Sequence, residues 1–298
     1  MNILVTGGTG FIGSALCKRL LAKSHEVAVL TRNGSRAQKR LGASVTAVES
    51  LDGLDPSKVP NAIINLAGLS LGSGRWTEGL KRAFLSSRVG TTRRVVEYIA
   101  ASKAVPEVLI SGSAVGYYGA RDATILDEDA TPGNEYQTEL CEAWEAEALK
   151  AEAFGTRVCL SRAGVVLGKG GGALSSLLPP FKRGLGGYVG TGRQWMSWIH
   201  IADLVAVYLH LIQHECLSGA FNATSPHPVT NREFAKALGA TLRRPALMWA
   251  PAWVVRALVG EMAHLYLTGQ RVYPKRLLES GFEYQYPKLV DALADIVD

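Results

Sequence analysis

Three closely spaced glycines near the start of the chain carry the clearest chemistry. Gly7, Gly10 and Gly13 lie in Thr6-Gly7-Gly8-Thr9-Gly10-Phe11-Ile12-Gly13, directly behind the apolar run Ile3-Leu4-Val5. The run reads as a buried strand. Ile12, Ala15, Leu16, Arg19 and Leu20 then recur at helical spacing, so a helix opens at Phe11. Gly7 suits the tight turn, Gly10 lets a pyrophosphate approach the backbone, and Gly13 lets the helix lie close on its strand. The helix N-terminus adds free N–H groups and the positive end of its dipole. This is the chemistry of dinucleotide binding. The strand–turn–helix context separates it from an ordinary glycine-rich turn.

The end of the second strand, Val27–Thr31, decides which dinucleotide. An NAD site offers an acidic side chain about 20 residues past the glycines, bonded to the ribose 2′-hydroxyl. Here the chain reads Val29-Leu30-Thr31-Arg32-Asn33, with no Asp or Glu, and Arg36, Lys39 and Arg40 follow. A guanidinium matches a 2′-phosphate through charge-assisted bonds. Arg32 therefore predicts NADP, against the plainer reading of a solvated loop arginine.

The elements that must position these residues alternate along the first half. Strands read at 2–6, 27–31, 45–48, 62–66, 108–111 and 157–162, with amphipathic helices at 11–23, 78–101 and 135–153. Such alternation predicts a parallel, doubly wound α/β sheet of the Rossmann type, with ligands outside the C-terminal ends of its strands. The second half holds glycine-rich loops at 168–172 and 184–192, then Trp198–Asp203 leading into a helix with Asp203 as its expected N-cap. Thr230 or Asn231 with Glu233 marks another helix start. We read residues 1–165 as the dinucleotide-binding domain and 166–298 as mainly a smaller C-terminal substrate lobe, with later segments crossing back.

The chain has 298 residues, 47% hydrophobic and 19% charged, ample for a sizeable core. No run of about 18 apolar residues predicts a membrane span. Net charge is +6, but no basic stripe interleaves with aromatics, which argues against a nucleic-acid partner. Cys17, Cys141, Cys159 and Cys216 lack metal spacing and read as reduced thiols of a cytoplasmic protein. His210 and His214 sit at i, i+4 without a third ligand, so no metal is expected. His200 reads as a brace of the strand-to-helix turn, with a substrate contact as the alternative.

Several segments together resemble an extended short-chain dehydrogenase/reductase over nearly the whole length. They are the glycine turn, Asn65-Leu66-Ala67-Gly68, Ser111-Gly112-Ser113-Ala114-Val115-Gly116-Tyr117-Tyr118-Gly119, Arg162–Gly168 and Trp198–Asp203. Arg75-Trp76, Ser87-Arg88, Trp144-Glu145 and Gly281-Phe282 resemble its atypical branch of epimerase-family or cell-division-inhibitor-like proteins. The resemblance implies that Gly7, Gly10, Phe11 and Ile12 meet the pyrophosphate, with Gly13 completing the cofactor-binding turn, and that Thr31 and Arg32 meet the 2′-phosphate. Leu66 and Ala67 would line the adenine–ribose wall. Arg88 would point back to the cofactor, and Val165 or Val166 would lie at the nicotinamide end.

The resemblance also implies a catalytic Ser113 and, on the next helix, a Tyr-x-x-x-Lys pair in which the ammonium lowers the phenol's pKa. The chain departs from that pattern. Tyr136 places Leu140 at the lysine position, and shifting by one pairs Gln137 with Cys141. Ser113 and Tyr136 are therefore the catalytic candidates, with Tyr136 equally readable as a packing residue. The implied activity is NADP(H)-dependent oxidation, reduction or epimerisation of a hydroxyl or carbonyl centre in a small molecule, by default a sugar nucleotide. A non-catalytic NADP(H) sensor is the alternative. A homodimer through two helices of the dinucleotide-binding domain is the default assembly.

Overall fold

Alternate residues along each central strand face opposite layers of helix. The computed structural model describes residues 1–54 and 59–297. Its main sheet contains β1 (Asn2–Thr6), β2 (Glu26–Leu30), β3 (Val45–Val48), β4 (Ala62–Asn65), β5 (Val108–Ala114), β7 (Arg157–Ala163) and β12 (Gly219–Ala223). Four short pairs complete the strands: β6 (Ile125–Leu126) with β15 (Arg271–Val272), β8 (Val165–Leu167) with β11 (Trp198–His200), β9 (Gly187–Val189) with β14 (Met248–Ala250), and β10 (Trp195–Met196) with β13 (Val229–Thr230).

The seven strands run in the order β12-β7-β5-β4-β1-β2-β3, all parallel. Strand order reverses at β1, which pairs with β2 on one side and β4 on the other, so the crevice for a ligand opens above these strands. Ile3 and Val5 bury against α1 (Phe11–Ala22) and α7 (Ile201–Gln213). Leu4 and Ile63 bury on the opposite face with α4 (Thr91–Ala101). This two-sided burial explains why the strands read as continuous apolar runs.

The remaining helices are α2 (Gly34–Leu41), α3 (Glu78–Leu85), α5 (Tyr136–Leu149), α6 (Leu174–Lys182), α8 (Asn231–Thr241), α9 (Ala252–Val259), α10 (His264–Leu267), α11 (Lys275–Glu279) and α12 (Leu289–Val297). The expected helix over 78–101 is α3 and α4 joined by a wider π-type turn, Ser86–Gly90. Glu135–Ala153 resolves into α5 and a closing 3₁₀ turn. Strand β12 was not read from the sequence, because Gly219-Ala220-Phe221-Asn222-Ala223 has little β-branched character.

A further core, away from the main sheet, gathers Leu174, Phe181, Trp198, Phe234, Leu238 and Leu293. A capping box opens α8, with Thr230 and Glu233 exchanging bonds as their spacing predicts. Asp203, expected as an N-cap, has a different task. His200 caps α7 by accepting from the Ala202 N–H, while the Asp203 carboxylate accepts from the N–H groups of Gln285 and Tyr286. His200 and Asp203 thus tie the C-terminal segment to the turn after β11.

Candidate active site

The turn after β1 is built as its glycines require. Gly7 has φ +69°, and a Cβ there would press on the Leu66 carbonyl and the Ala67 nitrogen. A Cβ on Gly13 would strike the Gly7 carbonyl oxygen, so the glycine is what allows α1 to lie on its strand. A Cβ on Gly10 would meet only the Gly7 oxygen, at 3.1 Å, and Gly10 itself is exposed. No side chain caps α1 at Gly10, whereas Asn33, Thr77 and Thr230 cap α2, α3 and α8. The free first-turn donors of α1 leave a place for an anion.

An open groove of about 1540 Å³ runs over this turn. It brings together Gly7, Gly10, Thr31, Arg32, Leu66 and Ala67. Arg32 and Arg36 are exposed along it, and neither forms an ion pair among the described residues. The nearby Glu49 carboxylate is occupied by the Gly34 N–H at 2.9 Å. Beneath the groove floor, Thr6 donates to Asn65, which donates to Thr92 and Ser111. Trp144 Nε1 donates to the same Thr92 hydroxyl. This network fixes the ends of β1, β4 and β5 relative to one another.

Phe11 and Ile12, in the first turn of α1, do not themselves line the groove. The Phe11 ring instead fills the space left by Gly168, Gly171 and Gly172, where Cβ atoms would collide with it. That contact explains the lack of a side chain at Gly168, Gly171 and Gly172. Ile12 and Val166 pack against one core, and Val165 against the further core around Trp198. The paired strands β8 and β11 place both valines where the two cores meet.

Arg88 lies beyond Gly68, its guanidinium carbon 3.2 Å from where a Gly68 Cβ would stand. It donates to the Phe84 carbonyl at 3.3 Å and sits 5.3 Å from the Trp144 ring centre. No carboxylate pairs with it among the described residues. Burial pulls the guanidinium below its usual range, with Cys141 and Tyr136 pulling weakly the other way. A partly buried cation of this kind favours an anionic neighbour.

Ser113 stands on β5 and donates to Glu145 Oε1 at 2.5 Å. Arg162 on β7 grips both oxygens of that carboxylate, at 2.9 and 2.8 Å. It also donates to Tyr118 OH at 3.0 Å, and Tyr118 donates to Asn222 at 2.7 Å. All five side chains are buried. Burial alone would lower the Arg162 guanidinium, but Glu145 outweighs it and holds it raised. Glu145 and Arg162 each belong to a sequence motif, Trp144-Glu145 and Arg162–Gly168, and nothing within either motif marks the residue for the site. Cys141 lies beside Ser113, its thiol pushed up to about 11 by burial and then by Glu145.

Tyr136 belongs to a separate cluster with Trp76, Phe84 and Leu140. Its hydroxyl donates to the Lys81 carbonyl at 2.9 Å, and its ring stacks edgewise on Trp76 at 5.4 Å. Burial raises the phenol, against Arg88 and Lys81. His210 and His214 stack on each other at 3.9 Å, and His210 bonds Ser280. No group of three metal-ligating side chains occurs among the described residues.

A doubly wound sheet with an uncapped glycine turn at its switch point and a polar cluster at the end of β5 defines a dinucleotide-binding protein of the short-chain dehydrogenase/reductase type. The chain belongs to the NAD dependent epimerase/dehydratase family, whose model matches residues 3–223. A second model, a domain of unknown function termed DUF1731, matches residues 250–296. The Arabidopsis thaliana "Epimerase family protein SDR39U1 homolog, chloroplastic" is 41% identical over 303 residues, covering 100% of this chain and 87% of that protein. A crystal structure of the human epimerase family protein SDR39U1 with NADPH is 36% identical, with a TM-score of 0.89 and 99% of each chain covered. A Corynebacterium glutamicum nucleoside-diphosphate sugar epimerase is 29% identical, with a TM-score of 0.79, covering 100% of this chain and 58% of that one.

Proposed function

We propose that the chain binds NADP(H) and uses it to oxidise, reduce or epimerise a hydroxyl or carbonyl centre of a small molecule, with a sugar nucleotide as the leading substrate class. The observation that carries this reading is the pairing of an uncapped α1 at Gly10 with exposed Arg32 just past β2 and exposed Arg36 in the first turn of α2. The first would hold the diphosphate and the second the 2′-phosphate. The human relative solved with NADPH and the bacterial sugar epimerase support cofactor and substrate class respectively. Leu66 and Ala67 would wall the adenosine, Val165 and Val166 would back the nicotinamide, and Arg88 would neutralise an anionic group beyond Gly68.

When bound, NADP(H) supplies the donor or acceptor of hydride. The chain supplies the proton path. Arg162 fixes the Glu145 carboxylate from both sides, and Ser113 aims its proton at it. The Ser113 lone pairs are thereby left as acceptors for a substrate hydroxyl. In the oxidative direction the substrate proton passes to Ser113 Oγ as the Ser113 proton passes to Glu145 Oε1. The reverse transfer protonates an alkoxide. Tyr136 serves this reading as a wall residue, its hydroxyl engaged by Lys81.

The test is to incubate the full chain with NADPH and a panel of carbonyl compounds and sugar nucleotides, following reduced nicotinamide and epimer ratios. Turnover that Ser113→Ala and Glu145→Gln both abolish, with NADPH still bound, supports the relay. A second reading, an NADP(H) sensor without turnover, is favoured by the absence of a Tyr-x-x-x-Lys pair. It predicts tight NADPH binding and no conversion of any compound.

A further inference from the structure

The second half of the chain carries a face whose composition differs from the rest of the surface. Between Glu152 and Asp203 there is no Asp or Glu, and none between Glu233 and Glu261. The fold brings parts of both stretches together. Strand β14 pairs with β9, the Met248 N–H bonds the Gly186 carbonyl, and a Cβ on Gly184 would touch Pro245. Beside this ribbon lies α9, Ala-Trp-Val-Val-Arg-Ala-Leu-Val, which buries Val255 alone. Apart from Val255 and from Val259, which packs on the Trp76–Met262 cluster, this apolar helix has no full partner among the described residues.

The apolar side chains on this face are large and open. Leu247 is 85% exposed, Trp253 71% and Leu258 70%, with Leu185, Met248 and Trp249 also exposed. Lys182, Arg183, Arg243, Arg244 and Arg256 stand among them, all exposed and none ion-paired among the described residues. The face is fixed rather than dangling. Trp249 Nε1 donates to the Gly190 carbonyl, and Arg75 Nη2 donates to the Ala257 carbonyl at the end of α9.

We propose that this face docks on an anionic lipid surface, lying in the headgroup layer without crossing it. Exposed Trp and Leu beside Lys and Arg, with no acidic side chain between them, match the chemistry of such an interface. Apolar side chains enter the acyl boundary while the cationic heads reach lipid phosphates. The charge pattern disfavours a second copy of the chain. Two such faces laid together would oppose arginine to arginine, with no carboxylate from either stretch to relieve them. Docking here is independent of NADP(H) binding, since none of these residues lines the groove over the glycine turn.

The experiment is co-sedimentation of the full chain with vesicles of phosphatidylcholine alone or mixed equally with phosphatidylglycerol. Wild type is expected to bind the mixed vesicles at low salt, to bind phosphatidylcholine far less, and to release as salt rises. Arg243→Glu with Arg244→Glu should weaken binding about tenfold or more. Trp253→Ser with Leu258→Ser should weaken it comparably, by removing the apolar part. Both variants should melt like wild type and keep NADPH affinity, because every altered side chain is exposed. Absence of binding to mixed vesicles overturns the proposal, as does binding that both variants retain. A dimer that dissociates in the Trp253→Ser/Leu258→Ser variant, with no vesicle binding by wild type, also overturns it and assigns the face to a second copy.

Discussion

Ser113 gives its hydroxyl proton to Glu145, 32 residues further along the chain, in a buried bond of 2.5 Å. This bond determines what Ser113 can do. A serine that donates inward can only accept from a substrate hydroxyl, so the proposed function routes its proton transfer through the Ser113–Glu145 pair. Arg162 makes the pair possible by compensating a carboxylate that burial would otherwise disfavour.

Removing the charge of Glu145 should therefore be costly to the fold as well as to any turnover. Glu145→Gln leaves Arg162 buried with no carboxylate, and breaking a buried pair from one side costs about 3–5 kcal/mol. Urea unfolding should show a lower midpoint of that size. Arg162→Met with Glu145→Leu, which removes both charges, should recover much of the loss. A Glu145→Gln protein as stable as wild type would mean the pair is hydrated in solution.

Gly10 and Gly13 are expected to fail in different ways. Gly10→Val points a side chain into open groove, so it should fold normally and lose NADPH binding. Gly13→Ala drives a Cβ into the Gly7 carbonyl, so it should lower the melting temperature first. Calorimetry of both variants with and without NADPH separates the two effects. A Gly10→Val protein that still binds NADPH normally would reduce the motif to a turn.

Tyr136→Phe removes one hydrogen bond to the Lys81 carbonyl, worth about 0.5–1.5 kcal/mol of stability. It should leave NADPH affinity unchanged and cost less turnover than Ser113→Ala. Once a substrate is in hand, kcat for the two variants decides the matter. A dead Tyr136→Phe enzyme beside an active Ser113→Ala enzyme would make the phenol the acid.

Stability should fall on mild acidification. Burial holds His200 below its ordinary value of 6.5, more than Asp295 and Asp203 raise it. The unfolded chain then binds the proton more readily than the folded one. The contribution is complete above pH 6.5 and is lost as pH drops through the lower folded value. Melting curves between neutral and mildly acidic pH should show this slope, and His200→Asn should reduce it, leaving the part due to His25 and His210, which burial also holds low.

Much of this architecture was legible because it is local. The glycine turn, Arg32 at the end of β2 and the capping box at Thr230 are each settled within a few residues. The polar cluster was not legible, because Glu145, Arg162, Tyr118 and Asn222 meet only when β5, β7 and β12 lie side by side. Arg162 and Glu145 belong to separate motifs, and nothing in the spacing of either says that they form one ion pair. The roles of Asp203 and of the 168–172 glycines were likewise tertiary. One holds a segment 82 residues away, and the other makes room for a single phenyl ring.

The choice of cofactor is the claim on which the functional reading rests. Titrating NADPH and NADH against wild type and Arg32→Ala tests it most directly. One charge-assisted contact is worth about 1.5–3 kcal/mol, or roughly tenfold to a hundredfold in affinity. Wild type should bind NADPH tighter than NADH by at least that factor, Arg32→Ala should lose about one such factor of the preference, and Arg32→Ala with Arg36→Ala should lose the rest, with NADH binding unchanged. Equal affinities in wild type, or an Arg32→Ala protein that keeps its full preference for NADPH, would contradict the account.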